Sequence, residues 1–153
     1  MKNSKKICVV GASGLVGSSI VRYALEEGYF VNGTLRDKSD ITKVKYLNKL
    51  PNSKNLKLFN AKMKNKKDFI NPMQNADAVF IACLIPTYKG SDGTPAKDMD
   101  DKRGYEEIIN PTVNGCLNII KAAKNKGIKN IIICSSTSST NPVPPIKFKN
   151  EID

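Results

Sequence analysis

The residues with the most chemical meaning are Gly11, Ala12, Ser13, Gly14, Leu15, Val16 and Gly17, a G-x-x-G-x-x-G run. It lies between an apolar stretch, residues 7–10, and a segment of helical period that starts near Leu15. Glycines at this spacing permit a tight strand-to-helix turn and let main-chain N–H groups approach a pyrophosphate. The helix N-terminus adds partial positive charge, and the last glycine allows close packing of helix on strand. The strand before and the helix after favour a phosphate site, built from all seven residues, over a bare structural turn.

The end of the second strand decides which dinucleotide fits. An acidic residue there binds the adenosine ribose hydroxyls of NAD, whereas an Arg accommodates the 2′-phosphate of NADP. This chain reads Thr34-Leu35-Arg36-Asp37, with Lys43 seven residues beyond Arg36. Leu35 accepts no hydrogen bond from a ribose, while Arg36 can make a bidentate charged contact with phosphate and Lys43 can add a second cation. NADP is therefore expected over NAD. The alternative is that Arg36 and Lys43 are surface charges and that Asp37 caps the next helix or contacts the ribose.

Other chemistries are excluded by what the chain lacks or spreads thinly. It has no His, which removes Ser-His-Asp and Cys-His pairs and His-ligated zinc. Cys8, Cys83, Cys116 and Cys134 are far apart, without a C-x-x-C, each within an apolar run. They read as buried reduced thiols rather than a disulfide or metal framework. The net charge of +11 invites a nucleic-acid reading, but 22 of the 25 basic residues are Lys, scattered along the chain beside 16 Asn. No helix-turn-helix, zinc-finger or aromatic stacking pattern accompanies them, so solvated lysine faces are the better reading. The first apolar run is too short for a signal peptide, and the longest, residues 78–85, is too short for a membrane span. A cytoplasmic protein without a nucleic-acid or membrane partner is expected.

The elements that must position these residues alternate in type. Strand candidates are residues 7–10, 30–35, 56–60, 78–83 and 130–134; helix candidates are 15–27, 41–50, 66–75 and 105–126. Alternating βα units imply an α/β fold with a doubly wound, Rossmann-type parallel sheet of about five strands in the order 3-2-1-4-5. The length of 153 residues fits one domain. Leu15, Val16, Ile20, Val21, Ala24 and Leu25 share a face of the first helix, and Ile41, Val44 and Leu47 a face of the second. Pro72 weakens the third helix, Pro111 sets a start or bend in the fourth, and Gly127 is its C-cap. An apolar stripe of Val113, Cys116, Leu117, Ile120 and Ala123 suits packing in a helix-paired dimer. Residues 86–101 and 141–153 are loops, rich in Gly, Asp and Pro.

On these motifs the chain resembles the N-terminal part of an extended short-chain dehydrogenase/reductase, of the NAD-dependent epimerase/dehydratase superfamily. It is most similar to the dihydroflavonol reductase and cinnamoyl-CoA reductase group. The likeness runs from Lys5 to Asn141 and rests on the glycine turn, Gly28-Tyr29-Phe30-Val31, Leu35-Arg36-Asp37, Lys43-Val44-Lys45-Tyr46-Leu47, Asn110-Pro111-Thr112-Val113-Asn114-Gly115 and Ile133-Cys134-Ser135-Ser136-Thr137. It implies Arg36 and Lys43 on the 2′-phosphate, and Ser136 as the catalytic serine that polarises the carbonyl oxygen of a small organic substrate. Met63 and Cys83, after the third and fourth strands, complete the candidate cofactor set. Lys62-Met63 stands where the group has Asp-Leu against adenine, Ile81 where many members have His, and Thr112 where many have Asn.

The same resemblance implies a Tyr with a Lys four residues on, the cation lowering the phenol pKa towards neutrality. None of Tyr23, Tyr29, Tyr46, Tyr88 and Tyr105 has that partner. The expectation is therefore the cofactor-binding segment of an NADP-dependent oxidoreductase whose last strands and substrate lobe are not in this chain, since ending at residues 131–134 leaves an apolar edge unpaired. A catalytically silent NADP sensor and a nucleotide-sugar epimerase or dehydratase relative are the alternatives, the latter disfavoured by Leu35 before Arg36.

Overall fold

The computed structural model describes residues 5–83 and 87–136. Strands β1 (Lys6–Val10), β2 (Phe30–Leu35), β3 (Leu56–Asn60), β4 (Ala78–Ile81) and β5 (Asn130–Ile133) form one sheet in the order β3-β2-β1-β4-β5. Every neighbouring pair is parallel. This is the doubly wound α/β order expected, and each predicted strand forms within two residues of its predicted ends. Parallel strands covered on both faces are near-continuous apolar runs, which is why they stand out in a sequence.

Side-chain alternation along β1 divides the core in two. Ile7 and Val9 pack with Val21 and Leu25 of α1 (Leu15–Glu26) and with Leu47 of α2 (Ile41–Asn48). Cys8 and Val10 pack on the opposite face with Phe69, Met73, Ile119, Ala122 and Ala123. Three members of the predicted helix faces fall outside this core. Leu15 is 88% exposed and Ile41 72%, with Val16 half exposed, because the first turns of both helices stand beyond the ends of the strands.

Two segments depart further from expectation. Residues 66–75 do not form a helix: a single 3₁₀ turn, Lys66–Phe69, gives way to turns through Asn75, which has a left-handed φ of 56°. Tertiary burial decides this segment. Phe69, Pro72 and Met73 are buried, and the Asn32 side-chain amide on β2 donates to the Pro72 carbonyl at 2.7 Å.

The second departure is the long helical run, which begins at Asp101, before its predicted start at residue 105. Asp100 caps it, its carboxylate accepting the Arg103 N–H at 2.8 Å. The run continues as α3 (Asp101–Gly104), a π turn (Tyr105–Ile109) and α4 (Asn110–Asn125). In the π turn the Asn110 N–H reaches back to the Tyr105 carbonyl, so the hydrogen-bond register shifts just before Pro111, which has no N–H to give. Gly127, at φ +70°, closes α4 as expected: Gly127 N–H bonds to Lys124 and Ile128 N–H to Ala123, a Schellman pattern. Gly115, Ile119, Ala122 and Ala123 are buried, whereas Tyr105, Ile109, Val113 and Leu117, four residues apart, are 40–56% exposed.

Among the described residues no helix is long and apolar enough to cross a membrane. The burial of Phe69 has a direct consequence. Phe69→Ala is expected to cost about 3–5 kcal/mol in urea unfolding, and a loss below about 1 kcal/mol would show that the ring is not seated in the core.

Candidate cofactor-binding site

The first wall of the site is the turn between β1 and α1. Gly11 has φ +84°, and a Cβ there would lie 2.7 Å from Cys83 Cβ. The N–H groups of Gly11 and Ala12 both donate to the Thr34 carbonyl, at 3.1 and 2.9 Å, tying the turn to the end of β2. A Cβ on Gly17 would overlap the Gly11 carbonyl oxygen, so α1 leaves the sheet too closely for any side chain there.

Gly14 is different. It is exposed, and a Cβ would meet only the Gly11 oxygen, at 3.4 Å. It is the N-cap of α1, supplies no side-chain cap, and is followed by no acidic residue in the first turn. The N–H groups of Leu15 and Val16 have no hydrogen-bond partner among the described residues. A helix start with free donors, positive partial charge and an open face suits a pyrophosphate. Ala12 is buried and Ser13 half-buried beneath this surface.

A cavity of about 500 Å³ lies beyond the ends of β2 and β3, lined by Arg36, Asp37, Asn60, Ala61, Lys62, Asn65 and Asp68. Strand pairing builds it: Leu35 is in register with Asn60, and the Ala61 N–H continues the ladder to the Leu35 carbonyl at 2.9 Å. Asp37 accepts the N–H and the hydroxyl of Ser39, at 2.9 and 2.6 Å, and these bonds hold its carboxyl below its ordinary pKa. The cap of α2 is Asp40, not Asp37. Lys43 Nζ lies 3.3 Å from the Asp40 carboxylate and is not among the cavity-lining residues. Asp68 accepts the Lys62 N–H at 2.9 Å and closes the opposite loop.

Met63 packs on α4, against Gly115, and the Asn118 amide donates to its carbonyl at 3.0 Å, so the structure does not bring its side chain to Arg36. Cys83 does sit at the glycine turn. Burial pushes its thiol up to about 11, Cys116 adding to the rise, while the charge of Arg36 pulls the other way. Cys8, within β1, is pushed up to about 12 by burial alone; each of the four cysteines is a free thiol, but only Cys8 is buried, whereas Cys83, Cys116 and Cys134 are half-buried, contrary to the expectation of four buried thiols. Ser136 is exposed two residues past the last link of β4 to β5, Cys134 N–H to the Ile81 carbonyl. Thr112 turns its hydroxyl back to the Ile108 carbonyl at 2.7 Å.

Sequence reasoning missed a second feature, after β4. Residues 87–96 fold back on themselves through a Lys89–Pro95 bridge and are latched to the helical run by Arg103. The guanidinium binds Glu107 at 2.8 Å and Asp92 at 2.5 Å, and Glu107 also accepts the Ser91 N–H at 2.8 Å. This latch borders a cavity of about 540 Å³ lined by Thr87, Lys89, Gly90, Ser91 and Glu107. Only the four-residue spacing of Arg103 and Glu107 was visible in the sequence; Asp92 reaches them through the fold. The same guanidinium holds both carboxyl groups below the usual carboxylate range. No group of three or more His, Cys, Asp or Glu able to hold a metal occurs among the described residues.

A family model described as NAD(P)H-binding matches residues 11–151. The chain belongs to this NAD(P)H-binding family. Among curated proteins it is 36% identical over 143 residues to dihydroflavonol 4-reductase of Arabidopsis thaliana, covering 92% of this chain and 35% of that protein. It is 31% identical over 139 residues to anthocyanidin reductase of the same plant, covering 90% and 38%. Vestitone reductase from alfalfa superposes with a TM-score of 0.62 at 32% identity, covering 87% of this chain and 36% of that structure. The resemblance to reductases of the extended short-chain group therefore stands. The chain spans about a third of the length of the curated relatives it matches.

For an NAD(P)H-binding turn built this way, two glycines separate folding from binding. Gly17→Ala is expected to lose about 1–3 kcal/mol or more of stability through overpacking. Gly14→Val should stay within about 1 kcal/mol of the parent yet weaken NADPH binding at least about tenfold; unchanged uptake would remove the pyrophosphate from this turn. The latch has its own pH signature. Carboxyl groups with lowered folded-state pKa values contribute above the ordinary carboxylate range and lose that contribution as pH falls through the lowered values. Amide protection factors in residues 87–96, corrected for the pH dependence of intrinsic exchange, should thus be high at neutral pH and fall in acid, and Arg103→Gln should lower them at neutral pH. Equal exchange in parent and variant at pH 7 would show that Arg103 does not hold this segment.

Proposed function

We propose that the chain forms the NADP-binding part of an oxidoreductase that reduces a carbonyl group on a small organic substrate. The observation that carries this reading is the uncapped start of α1 above Gly14, an open row of main-chain donors at the carboxyl ends of the strands, where doubly wound sheets take their ligands. The family match and the reductase relatives support the reaction class. Bound there, NADPH supplies a hydride.

The protein's own residues divide the remaining work. The turn from Gly11 to Gly17 receives the pyrophosphate. Buried Leu35 offers the ribose no acceptor, and Arg36 receives the 2′-phosphate, which supports NADP over NAD. Ser136, beyond the carboxyl end of β5, orients the substrate carbonyl by donating a hydrogen bond. The phenol and ammonium pair needed for proton transfer has no match among these residues, so on this reading it comes from further sequence. Four free thiols support a reducing, cytoplasmic setting.

The cofactor assignment is tested by titration. Arg36→Ala should lower the ratio of NADPH to NADH affinity by about tenfold or more, the worth of a charged hydrogen bond to phosphate, with little change in NADH binding. An unchanged ratio means that Arg36 does not read the 2′-phosphate.

A further inference from the structure

Two stretches of the chain carry lysine without any acid. Residues 41–67 hold nine Lys and no Asp or Glu, and residues 108–136 hold four Lys and neither acid. Folding brings the end of the first stretch against the second. The loop after β3 and helix α4 share one core, in which Phe69 and Met73 meet Ile119, Ala122 and Ala123. The Asn118 amide on α4 donates to the carbonyls of Met63 and Lys64, at 3.0 and 3.2 Å, and stitches helix to loop. Lys64, Lys66 and Lys67 on the loop therefore share one surface with Lys121 on α4 and Lys126 at its end. Lys64, Lys67 and Lys121 are exposed, and Lys66 and Lys126 half-buried.

Little offsets these charges. Asp68 is the one carboxylate on the loop or on α4, and Asp77, ahead of β4, accepts the Lys6 N–H at 2.8 Å. Even with Asp77 counted, five cations face two carboxylates, and none of the five joins an ion pair among the described residues. Their hydrogen bonds go to neutral amides instead. Lys126 Nζ donates to Gln74 Oε1 at 2.7 Å, and Lys66 Nζ to the Asn125 side-chain oxygen at 3.1 Å with that amide oriented to suit its neighbours. The packing that buries Phe69 and Met73 thus gathers like charges without neutralising them, and a bound anion removes the repulsion. Residues 56–75 and 110–126 contain no Arg and no exposed aromatic ring. The surface therefore lacks the guanidinium forks that grip phosphate and the rings that stack on unpaired bases. Exposed Asn71, Gln74 and Asn75 lie beside the lysines and carry the donors and acceptors that a peptide main chain needs.

We propose that this lysine face docks an extended, acidic segment of a partner protein, whose carboxylates meet Lys64, Lys66, Lys67, Lys121 and Lys126. The face lies on the α4 side of the sheet, opposite α1, so a partner there leaves the start of α1 open. An exposed lysine–carboxylate pair contributes little by itself. The face works through number, and its affinity falls as salt rises.

The test is fluorescence anisotropy of a labelled peptide of alternating Glu and Ser, titrated with the full chain at low salt. The peptide should bind the parent. Lys64→Gln, Lys66→Gln and Lys121→Gln together should weaken it by about tenfold with the circular dichroism of the parent retained, whereas Arg at the same three positions should keep it. An equal loss of charge on the α2 side, through Lys45→Gln, Lys49→Gln and Lys54→Gln, should change binding by less than about twofold. The proposal is overturned if the peptide does not bind the parent or if the two Gln triples weaken it equally, which would reduce the effect to net charge. It is also overturned if duplex RNA or phosphatidylserine vesicles bind this face more tightly than the peptide and lose that binding in the first triple, since the occupant is then a nucleic acid or a membrane.

Discussion

The cofactor edge of the molecule depends on one junction, where the Thr34 carbonyl accepts the N–H groups of both Gly11 and Ala12. That junction welds the glycine turn after β1 to the end of β2, two residues before Arg36. The steric demand at Gly17 completes it: with no side chain there, α1 lies against the Gly11 carbonyl and points its first donors over the strand ends. Main-chain geometry therefore sets the distance between the free donors at the start of α1 and the backbone of Arg36. No side-chain rotamer needs to be right for that spacing to exist, which accounts for its early appearance in the sequence as a glycine pattern.

The other wall of the site is held from below. Lys62 and Asp68 belong to a loop whose far end, Phe69 to Met73, is sunk into the core formed with α4. Asp68 joins the two parts by accepting the Lys62 N–H, so the cavity wall is braced by a buried ring although its surface is polar. Net charge plays a lesser part. Most of the lysines are solvated and scattered, and their field at any point is screened within about 10 Å at ordinary salt. At the cavity Arg36 and Lys62 join no ion pair among the described residues, Lys43 pairs with Asp40, and the charged carboxylates of Asp37 and Asp68 accept hydrogen bonds from near neighbours.

Legibility followed the range of the interactions. The strands could be read because β1 and β4 are apolar runs in the core and the others carry apolar residues between turn-forming segments, and the glycine turn because its geometry admits few residues. The cap at Gly127 was legible for the same local reason. Residues 66–75 carried helical spacing and still did not form a helix, since Phe69, Pro72 and Met73 gain more from burial than from regular hydrogen bonding. The start at Asp101 was hidden in a stretch of turn-forming residues, and the π turn before Pro111 leaves no periodic trace. Lys62 was visible only as a departure from a family pattern. Its position opposite Arg36 follows from the pairing of Leu35 with Asn60, a contact between strands that local sequence does not encode.

The two functions asked of such a site have different physical bases, and these residues meet them unequally. Holding a dinucleotide needs oriented dipoles and fixed charges, which the β1 to α1 turn and the ends of β2 and β3 supply. Moving a proton to a carbonyl oxygen needs a group whose pKa lies near the working pH. The Ser136 hydroxyl can orient such an oxygen but does not release its proton at neutral pH. The Cys83 thiol, beside the glycine turn, is driven the wrong way by burial, to about 11. Cys116 is raised by the same cause. Desolvation thus takes these thiols away from acid–base work near neutral pH. A phenol whose pKa is brought down by a neighbouring cation answers that need, and in a reductase built on this frame it must reach the carbonyl from a part of the fold other than the elements that hold the cofactor.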